Sequence, residues 1–483
     1  MNDRIELTRE NRYRIGASSI ILLGFALRLF QLGFDSLWND EAGQVLAALA
    51  SSIEDMIEIE RTHVMAMPLD YLVTRLASSL GITEFVLRLP SVFWGMLAIS
   101  LVFSFLKSCN RPNEGLIAAV LLGISVTHIH YSQEVRFYSS LVFFYLLSTY
   151  LLLKGLAKPS VTGFLVTAVI TSIGAYFHPF VLLSLLNGYV YLLLDLRDRR
   201  TKRNVLQLAV LSIVIFAMFL PGYLYFDRPK MPFLVLEFGG SLFDSIARGI
   251  GWDLTPLGVV LGLLGIIGLL SLRLRDRIIV ATVVATMIQI PIIIAAVYIK
   301  GYWFAPRQIV HLLPVFSMLT AIGLVTLFSH IPRSTGLSRT NAFGYGATGV
   351  LTALIFMLTA SHLSDYYRWN KSNGREVAYQ IAQESRAKSC ILIAPGYETV
   401  IYQFYFSHLF DRPDLIRDLH PINGDITNLT SDCHGQTIFL AISRKSNEQY
   451  QDEIAHLGFD VIGPQLKTQS ESAHLLYELV PRY

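Results

Sequence analysis

Two adjacent carboxylates, Asp40 and Glu41, sit in FDSLWNDEAGQ (34–44), directly after the long apolar run RIGASSIILLGFALRLFQLGF. A charge at a bilayer edge is cheap, whereas one in the hydrocarbon costs about 2.5–3.5 kcal/mol on insertion scales. The pair therefore either ends a helix in water or serves a reaction centre at a membrane surface. A second polar island, THIHYSQEVRFYSS (127–140), gathers His128, His130, Tyr131, Gln133, Glu134, Arg136 and Tyr138 between two apolar runs. A third, YIKGYWFAPRQIVHLLP (298–314), adds Lys300, Arg307 and His311, and single histidines stand at His63 and at His178, before Pro179. A carboxylate, an arginine and tyrosines at a membrane edge suit a sugar phosphate. Arginine grips phosphate with a planar fork, and Tyr131, Tyr138, Trp38 and Trp303 offer faces on which sugar rings stack.

Each residue type also has a structural use. Glu134 and Arg136 form a plausible ion pair at a helix start, where the dipole favours a glutamate whatever its function. Interfacial Tyr and Trp are commonly membrane belts, and a lone loop histidine such as His63 is most often simply solvated. Arg307 falls at an expected helix start, where a cation is disfavoured; that points to an anionic partner, either protein or ligand.

The elements that must position these residues are membrane helices. The chain has 483 residues, 53% hydrophobic and 16% charged, with a mean hydropathy of +0.48. A soluble chain would carry about a quarter charged residues. Apolar runs recur from Ile15 to Ser361, and length and hydropathy give about eleven spans. They lie near 15–33, 88–106, 115–130, 135–153, 161–177, 179–194, 205–224, 255–272, 278–298, 308–328 and 343–361. The first run is long and lacks a small-residue cleavage site, so it reads as a retained helix. With eleven helices the loops rich in Lys and Arg, DLRDRRTKR among them, all fall on one side, which should be cytoplasmic together with the N-terminus. The three polar islands, the 34–87 loop and the C-terminal residues then share the opposite face. No internal repeat with midplane charges marks a transporter, and no basic patch outside the loops invites nucleic acid. Within the first outer loop, PLDYLVTRLASSL (68–80) carries Leu69, Leu72, Val73, Leu76 and Leu80 at helical spacing, as expected of a helix lying on the membrane surface.

After Ser361 the composition changes. DYYRWNKSNGREVAYQIAQES (365–385) and NEQYQDEIAHLGFD (447–460) read as helices, and SCILIAPG, QTIFLAIS and LLYELV as strands. Residues 363–483 are therefore expected to form a small extracytoplasmic α/β domain beside a membrane module of 1–362. IAPGYET (393–399) has a single glycine and is no phosphate loop. The three cysteines show no zinc-ligand spacing; Cys390 and Cys433 have a disulfide open to them if their domain is extracytoplasmic.

The ordered set SLWNDEA, PLDYLVTRL, EFVLRLPSVFWG, HYSQEVRFYS and WFAPRQIVHLLPV resembles polytopic glycosyltransferases of the GT-C class. It is closest to the bacterial branch related to protein O-mannosyltransferases and the aminoarabinose transferase of lipid A. The likeness covers roughly residues 10–330 and implies an integral protein of the bacterial inner membrane. It also implies a polyprenyl-phosphate sugar donor, hexosyl or pentosyl, used at the outer face, and inversion at the anomeric carbon. By this resemblance Asp40 is the leading general base with Glu41 supporting it, and Glu134 matches the second acidic position, with Arg136 beside it. The acceptor hydroxyl, on a lipid, glycan or protein, must lose its proton as it attacks. The departing lipid phosphate needs cations and donors instead of an acid; Arg136, Arg307, Lys300, His63 and His178 are the candidates. Relatives often carry a histidine before two prolines, whereas here the stretch reads HVMAMPLDY, with His63 displaced and one proline missing. The carboxylates are also hard oxygen donors suited to a divalent cation, so metal use stays open; no organic cofactor is implied. The alternative to an enzyme is a transporter or flippase of lipid-linked glycans.

Overall fold

The computed structural model describes residues 2–62, 67–194, 201–226, 242–299, 304–329, 339–368, 372–385, 389–422, 433, 436–443, 450, 459–463 and 474–481. The chain divides into two compact units. The first comprises residues 1–30, 60–70 and 91–364, the second 31–59, 71–90 and 365–483. Most of the first outer loop thus groups with the C-terminal residues.

The first unit is helical. Among the described residues, five helices are long and apolar enough to cross a membrane: Glu84–Ser108, Tyr138–Ala157, Arg203–Phe226, Arg277–Ile299 and Val310–Ser329. A sixth is counted if Pro112–Ile124 and Val126–Ser132, bent by 61°, form one span. Val161–Phe177, Pro179–Leu193 and Pro256–Ser271 are apolar but shorter. The chain is therefore a mostly helical polytopic membrane protein, and the expected run 115–130 is a broken helix. The break lies at Ser125, which ends one helix and caps the next by accepting from the His128 amide at 3.4 Å.

Small residues and polar knots join the helices, since lipid supplies no hydrophobic drive between them. A Cβ on Gly268 would collide with the Leu319 carbonyl, and one on Gly323 with that of Leu264, so Pro256–Ser271 and Leu313–Ser329 pack backbone against backbone. Gln289 Nε2 donates to Tyr145 Oη at 2.8 Å, and Asn187 Nδ2 to the same oxygen at 3.3 Å. Around these lies an apolar core that includes Val102, Phe105, Leu122, Leu146 and Ile322.

The second unit is an α/β body. β1 (Ser389–Ala394) pairs in parallel with β2 (Leu419–Pro421) and β3 (Thr437–Ser443). β5 (His474–Pro481) runs antiparallel to β3 and to β4 (Phe459–Ile462), giving the order β2-β1-β3-β5-β4. β1 and β3 are buried on both faces, hence their continuous apolar sequences. Cys390 and Cys433 are disulfide-bonded. The expected helix 365–385 is two helices: one ends at Arg368 and the next runs Gly374–Glu384. Between them Asn373 clamps the His474 backbone, accepting from its amide at 2.6 Å and donating to its carbonyl at 3.1 Å. Phe459 and Asp460, read as the end of a helix, begin β4; most of 447–458 lies outside the described residues.

In the helix Pro68–Ser78 the side that carries Asp70, Tyr71, Thr74 and Ala77 is buried. Leu76 and Leu80 are 70% and 79% exposed.

Candidate active site

Asp40 and Glu41 occupy the first turn of the helix Asn39–Ala48, where the exposed amides and the macrodipole favour carboxylates. Their environments differ sharply. Glu41 is fully buried and meets Arg88 in a two-pronged pair, Nε to Oε1 at 2.9 Å and Nη2 to Oε2 at 2.7 Å. Arg88 spends its remaining N–H groups on the carbonyls of Leu32 (2.9 Å), Asp35 (2.9 Å) and Ser36 (3.1 Å). Glu41 also accepts from the Trp38 amide at 3.4 Å. The pair thus pins the segment leading into the helix, and Asp40 beside it is half-buried.

Residues from the C-terminal part of the same unit brace that segment. Tyr405 Oη accepts from the Leu37 amide at 2.8 Å and donates to Glu84 Oε1 at 2.9 Å. Arg375 reaches Glu84 at 3.0 Å and the Phe34 carbonyl at 2.8 Å. Ser36 Oγ accepts from the Arg375 amide at 3.0 Å and donates to Glu376 at 3.0 Å.

The second polar island belongs to the first unit and begins at the Ser125 break. Buried Arg28 holds it. Its Nη1 donates to the carbonyls of Gly24 (2.8 Å) and Gly123 (3.0 Å). Its Nη2 meets His128 Nδ1 at 2.6 Å, and its Nε donates to Ser132 Oγ at 3.2 Å. Gln133 Nε2 donates to the carbonyls of Arg28 (3.0 Å) and Phe30 (2.9 Å). On this brace Glu134 is buried and takes a contact from His130 Nε2 at 3.0 Å. Tyr131 and Tyr138 face each other with ring centres 4.8 Å apart. Arg136 lies over Phe137 at 5.2 Å, and Phe137 stacks on His178 at 4.4 Å.

His178 stands in the break between two apolar helices and caps the second, its Nδ1 accepting from the Phe180 amide at 3.2 Å. Burial, with the charge of Arg136, pushes its imidazole down to about 3, so it is neutral and bears its proton on Nε2. It is a hydrogen-bond donor, not a cation. Arg307, half-buried in the turn Pro306–Gln308, lies in the electrostatic neighbourhood of Tyr131 together with Glu134 and Arg248. Arg248 pairs with Asp244 at 2.6 Å, and its carbonyl accepts from Thr127 at 3.4 Å. A cleft opens beside Thr127 and Ser125, lined by Leu121, Ile124, Leu257 and Leu261 together with Asp253, Thr320 and His362.

Within the first unit the structure thus brings together Glu134, Tyr131, Tyr138, Arg136 and His178, with Arg307 near Tyr131. Asp40 and Glu41 belong to the second unit. His63, Lys300 and Trp303 lie outside the described residues. Among the described residues no three His, Cys, Asp or Glu side chains are grouped to hold a metal ion. Arg88, Arg28 and Arg248 were not singled out from the sequence. For the first two a signal existed: each is a charge inside an otherwise apolar run, which in a membrane protein marks a built site by default.

Residues 66–225 match the family model described as dolichyl-phosphate-mannose-protein mannosyltransferase. No curated protein sequence matches the chain. Among solved structures the chain is similar to ArnT from Cupriavidus metallidurans in the apo state, with a TM-score of 0.59 at 14% identity, covering 98% of each chain. The same protein bound to undecaprenyl phosphate gives 0.55 at 13% identity over 95% of this chain and 97% of that one. The archaeal oligosaccharyltransferase AglB from Archaeoglobus fulgidus, in complex with an inhibitory peptide and a dolichol-phosphate, gives 0.59 at 9% identity over 95% and 75%. The fold is that of the GT-C glycosyltransferases, as the motifs indicated.

Proposed function

We propose that the protein is an inverting glycosyltransferase of the GT-C kind, with Asp40 as its general base. It takes a sugar from a polyprenyl-phosphate-linked donor and passes it to a hydroxyl acceptor at the outer membrane face. Asp40 accepts the hydroxyl proton as the acceptor oxygen attacks the anomeric carbon. The bond from that carbon to the phosphate oxygen breaks, and its electron pair leaves with the polyprenyl phosphate. Attack from the face opposite the leaving group inverts the centre.

The observation that carries this reading is the placement of half-buried Asp40 in the first turn of the helix Asn39–Ala48, whose start the Glu41–Arg88 pair fixes. Glu41 is fully engaged by Arg88, so it serves as a positioning residue, while half-buried Asp40 is suited to proton transfer. The leaving phosphate asks for cations and donors, and Arg307, Arg248, Arg136, Tyr131 and the His178 Nε2–H are suited to that task. Lys300 and His63 stay in the same candidate set. The leucine-walled side of the cleft beside Thr127, with Leu121, Leu257 and Leu261, suits the isoprenoid chain. Undecaprenyl phosphate in ArnT and dolichol-phosphate in AglB support such a ligand here. The Cys390–Cys433 disulfide supports an extracytoplasmic C-terminal part, which with the eleven spans expected from the sequence goes with a cytoplasmic N-terminus.

The test is sugar release or transfer from a radiolabelled panel of polyprenyl-phosphate sugars by the purified full-length protein, with Asp40→Asn alongside. Release from one donor, lost in the variant at unchanged thermal unfolding, is the expected result. Equal turnover in the variant would remove Asp40 as the base. Absence of turnover with every donor, with or without crude acceptor extract, would favour a transporter of lipid-linked glycans.

A further inference from the structure

The turn IAPGYET (393–399) lies at the carboxyl end of β1, whose neighbours β2 and β3 both run parallel to it. The chain passes from β1 to β2 on one side and then crosses to β3 on the other. The turn therefore sits at a topological switch point, where open α/β sheets bind ligands outside the carboxyl ends of their strands.

The turn is built to hold one shape. The Gly396 amide donates to the Ile422 carbonyl at 2.7 Å, the Glu398 amide to that of Pro395 at 3.0 Å, and Thr399 Oγ1 to that of Gly396 at 2.7 Å. Beneath it, Glu398 Oε2 is 2.7 Å from His474 Nε2, and His474 Nδ1 is 2.5 Å from Tyr402 Oη. His474 and Tyr402 are buried, and Asn373 clamps the His474 backbone. On this braced turn Tyr397 is 63% exposed. Holding a large aromatic side chain in water on a rigid mount offers the fold little, whereas such a ring is a low-entropy anchor for a ligand.

The turn also lies in the neighbourhood of the candidate base. The helix Thr399–Phe404, which follows it directly, packs against the helix Asn39–Ala48 that carries Asp40. After burial, the charges of Glu398 and then Asp40 are what push the Tyr397 phenol up. An exposed aromatic ring with Asp40 in its electrostatic neighbourhood suits a pyranose: the sugar's apolar face stacks on the tyrosine while a hydroxyl donates to the carboxylate.

We propose that the Tyr397 turn is the acceptor subsite and that its ligand is a carbohydrate ring stacked on Tyr397 with a hydroxyl directed at Asp40. The word acceptor rests on the transferase reading; the binding of a carbohydrate does not.

The experiment is saturation-transfer NMR on the full-length protein in detergent. The probes are methyl α-mannoside, methyl β-galactoside, methyl β-N-acetylglucosaminide and a serine-containing tripeptide. The expected result is ring-proton signal from at least one glycoside, weakened about tenfold in affinity by Tyr397→Ala and kept by Tyr397→Phe. A wild-type protein that gives no glycoside signal, or a Tyr397→Ala variant that binds equally well, would overturn the subsite. Tripeptide signal in place of glycoside signal, lost in Tyr397→Ala, would overturn the carbohydrate assignment. Glycoside binding that depends on Tyr397 in a protein that turns over no lipid-linked donor would leave the subsite standing and sink the transferase reading alone.

Discussion

Arg88 gives two of its N–H groups to Glu41 and the other three to the carbonyls of Leu32, Asp35 and Ser36, so one buried side chain fixes both the helix start and the segment before it. Breaking a buried pair by deleting one partner leaves the other charge uncompensated and costs about 3–5 kcal/mol. Arg88→Ala is expected to lower thermal stability in detergent by that order. Arg88→Lys should recover little of the loss, because a point-like ammonium cannot reproduce a planar fork with five donors. A melting temperature unchanged in Arg88→Ala would show that the clamp is not what holds this segment.

The two carboxylates of the pair are expected to fail in opposite ways. Asp40→Asn removes the base and should lower turnover by about 10²–10⁴-fold with the melting temperature intact. Glu41→Gln strips the negative charge from Arg88 and should lower the melting temperature first. Measuring turnover and unfolding on the same preparations separates the two. If Glu41→Gln were stable and inactive while Asp40→Asn were active, their assignment would be reversed.

The legible parts of this chain are those fixed by local pattern. Hydropathy alone makes 277–299 and 310–329 membrane helices, and turn-bounded apolar runs make β1 and β3 strands. The candidate carboxylates were visible as charges at the ends of such runs. What the pattern could not carry is partner choice. Glu41 and Arg88 are 47 residues apart, and Arg28 and His128 are 100 apart; nothing in either local sequence says which group meets which. The same holds for the Ser125 break. An apolar run reads as one helix even across a single glycine such as Gly123, and here the freed carbonyl of that glycine is satisfied by a distant arginine. Tyr397 escaped notice because its turn is no phosphate loop, and its significance lies in strand order and in a helix packed from another part of the chain.

Arg28 yields a prediction of its own. It serves the carbonyl of Gly123 beside the break, His128 and Ser132 at once. Arg28→Gln leaves at least one of these buried groups without its donor, at about 1–3 kcal/mol for each. The variant is expected to melt earlier, and because Gln133 is anchored on the Arg28 and Phe30 carbonyls, the backbone around 128–134 should exchange amide hydrogens faster. Hydrogen exchange read by mass spectrometry tests this directly: protection unchanged in that stretch would mean that the island does not depend on Arg28.

Alkaline pH probes the second unit. Tyr405 and Tyr402 are both raised well above the ordinary tyrosine value of 10.0, chiefly by burial, with Glu84 adding to the first and Glu398 to the second. The protonated phenol is the form that the fold holds. Below the unfolded value of about 10 both states carry the proton, so the contribution to stability is fully present. Above it the unfolded chain releases protons that the folded chain keeps, and stability falls as pH climbs toward the raised folded value. Unfolding monitored by phenolate absorbance should therefore show a pH-independent midpoint from neutrality to about 10 and a steep decline beyond. Tyr402→Phe removes one of the titrating groups and should make that decline shallower, even though it costs some stability at neutral pH by taking away the partner of His474 Nδ1. A decline of the same slope in Tyr402→Phe would show that Tyr402 does not titrate with unfolding.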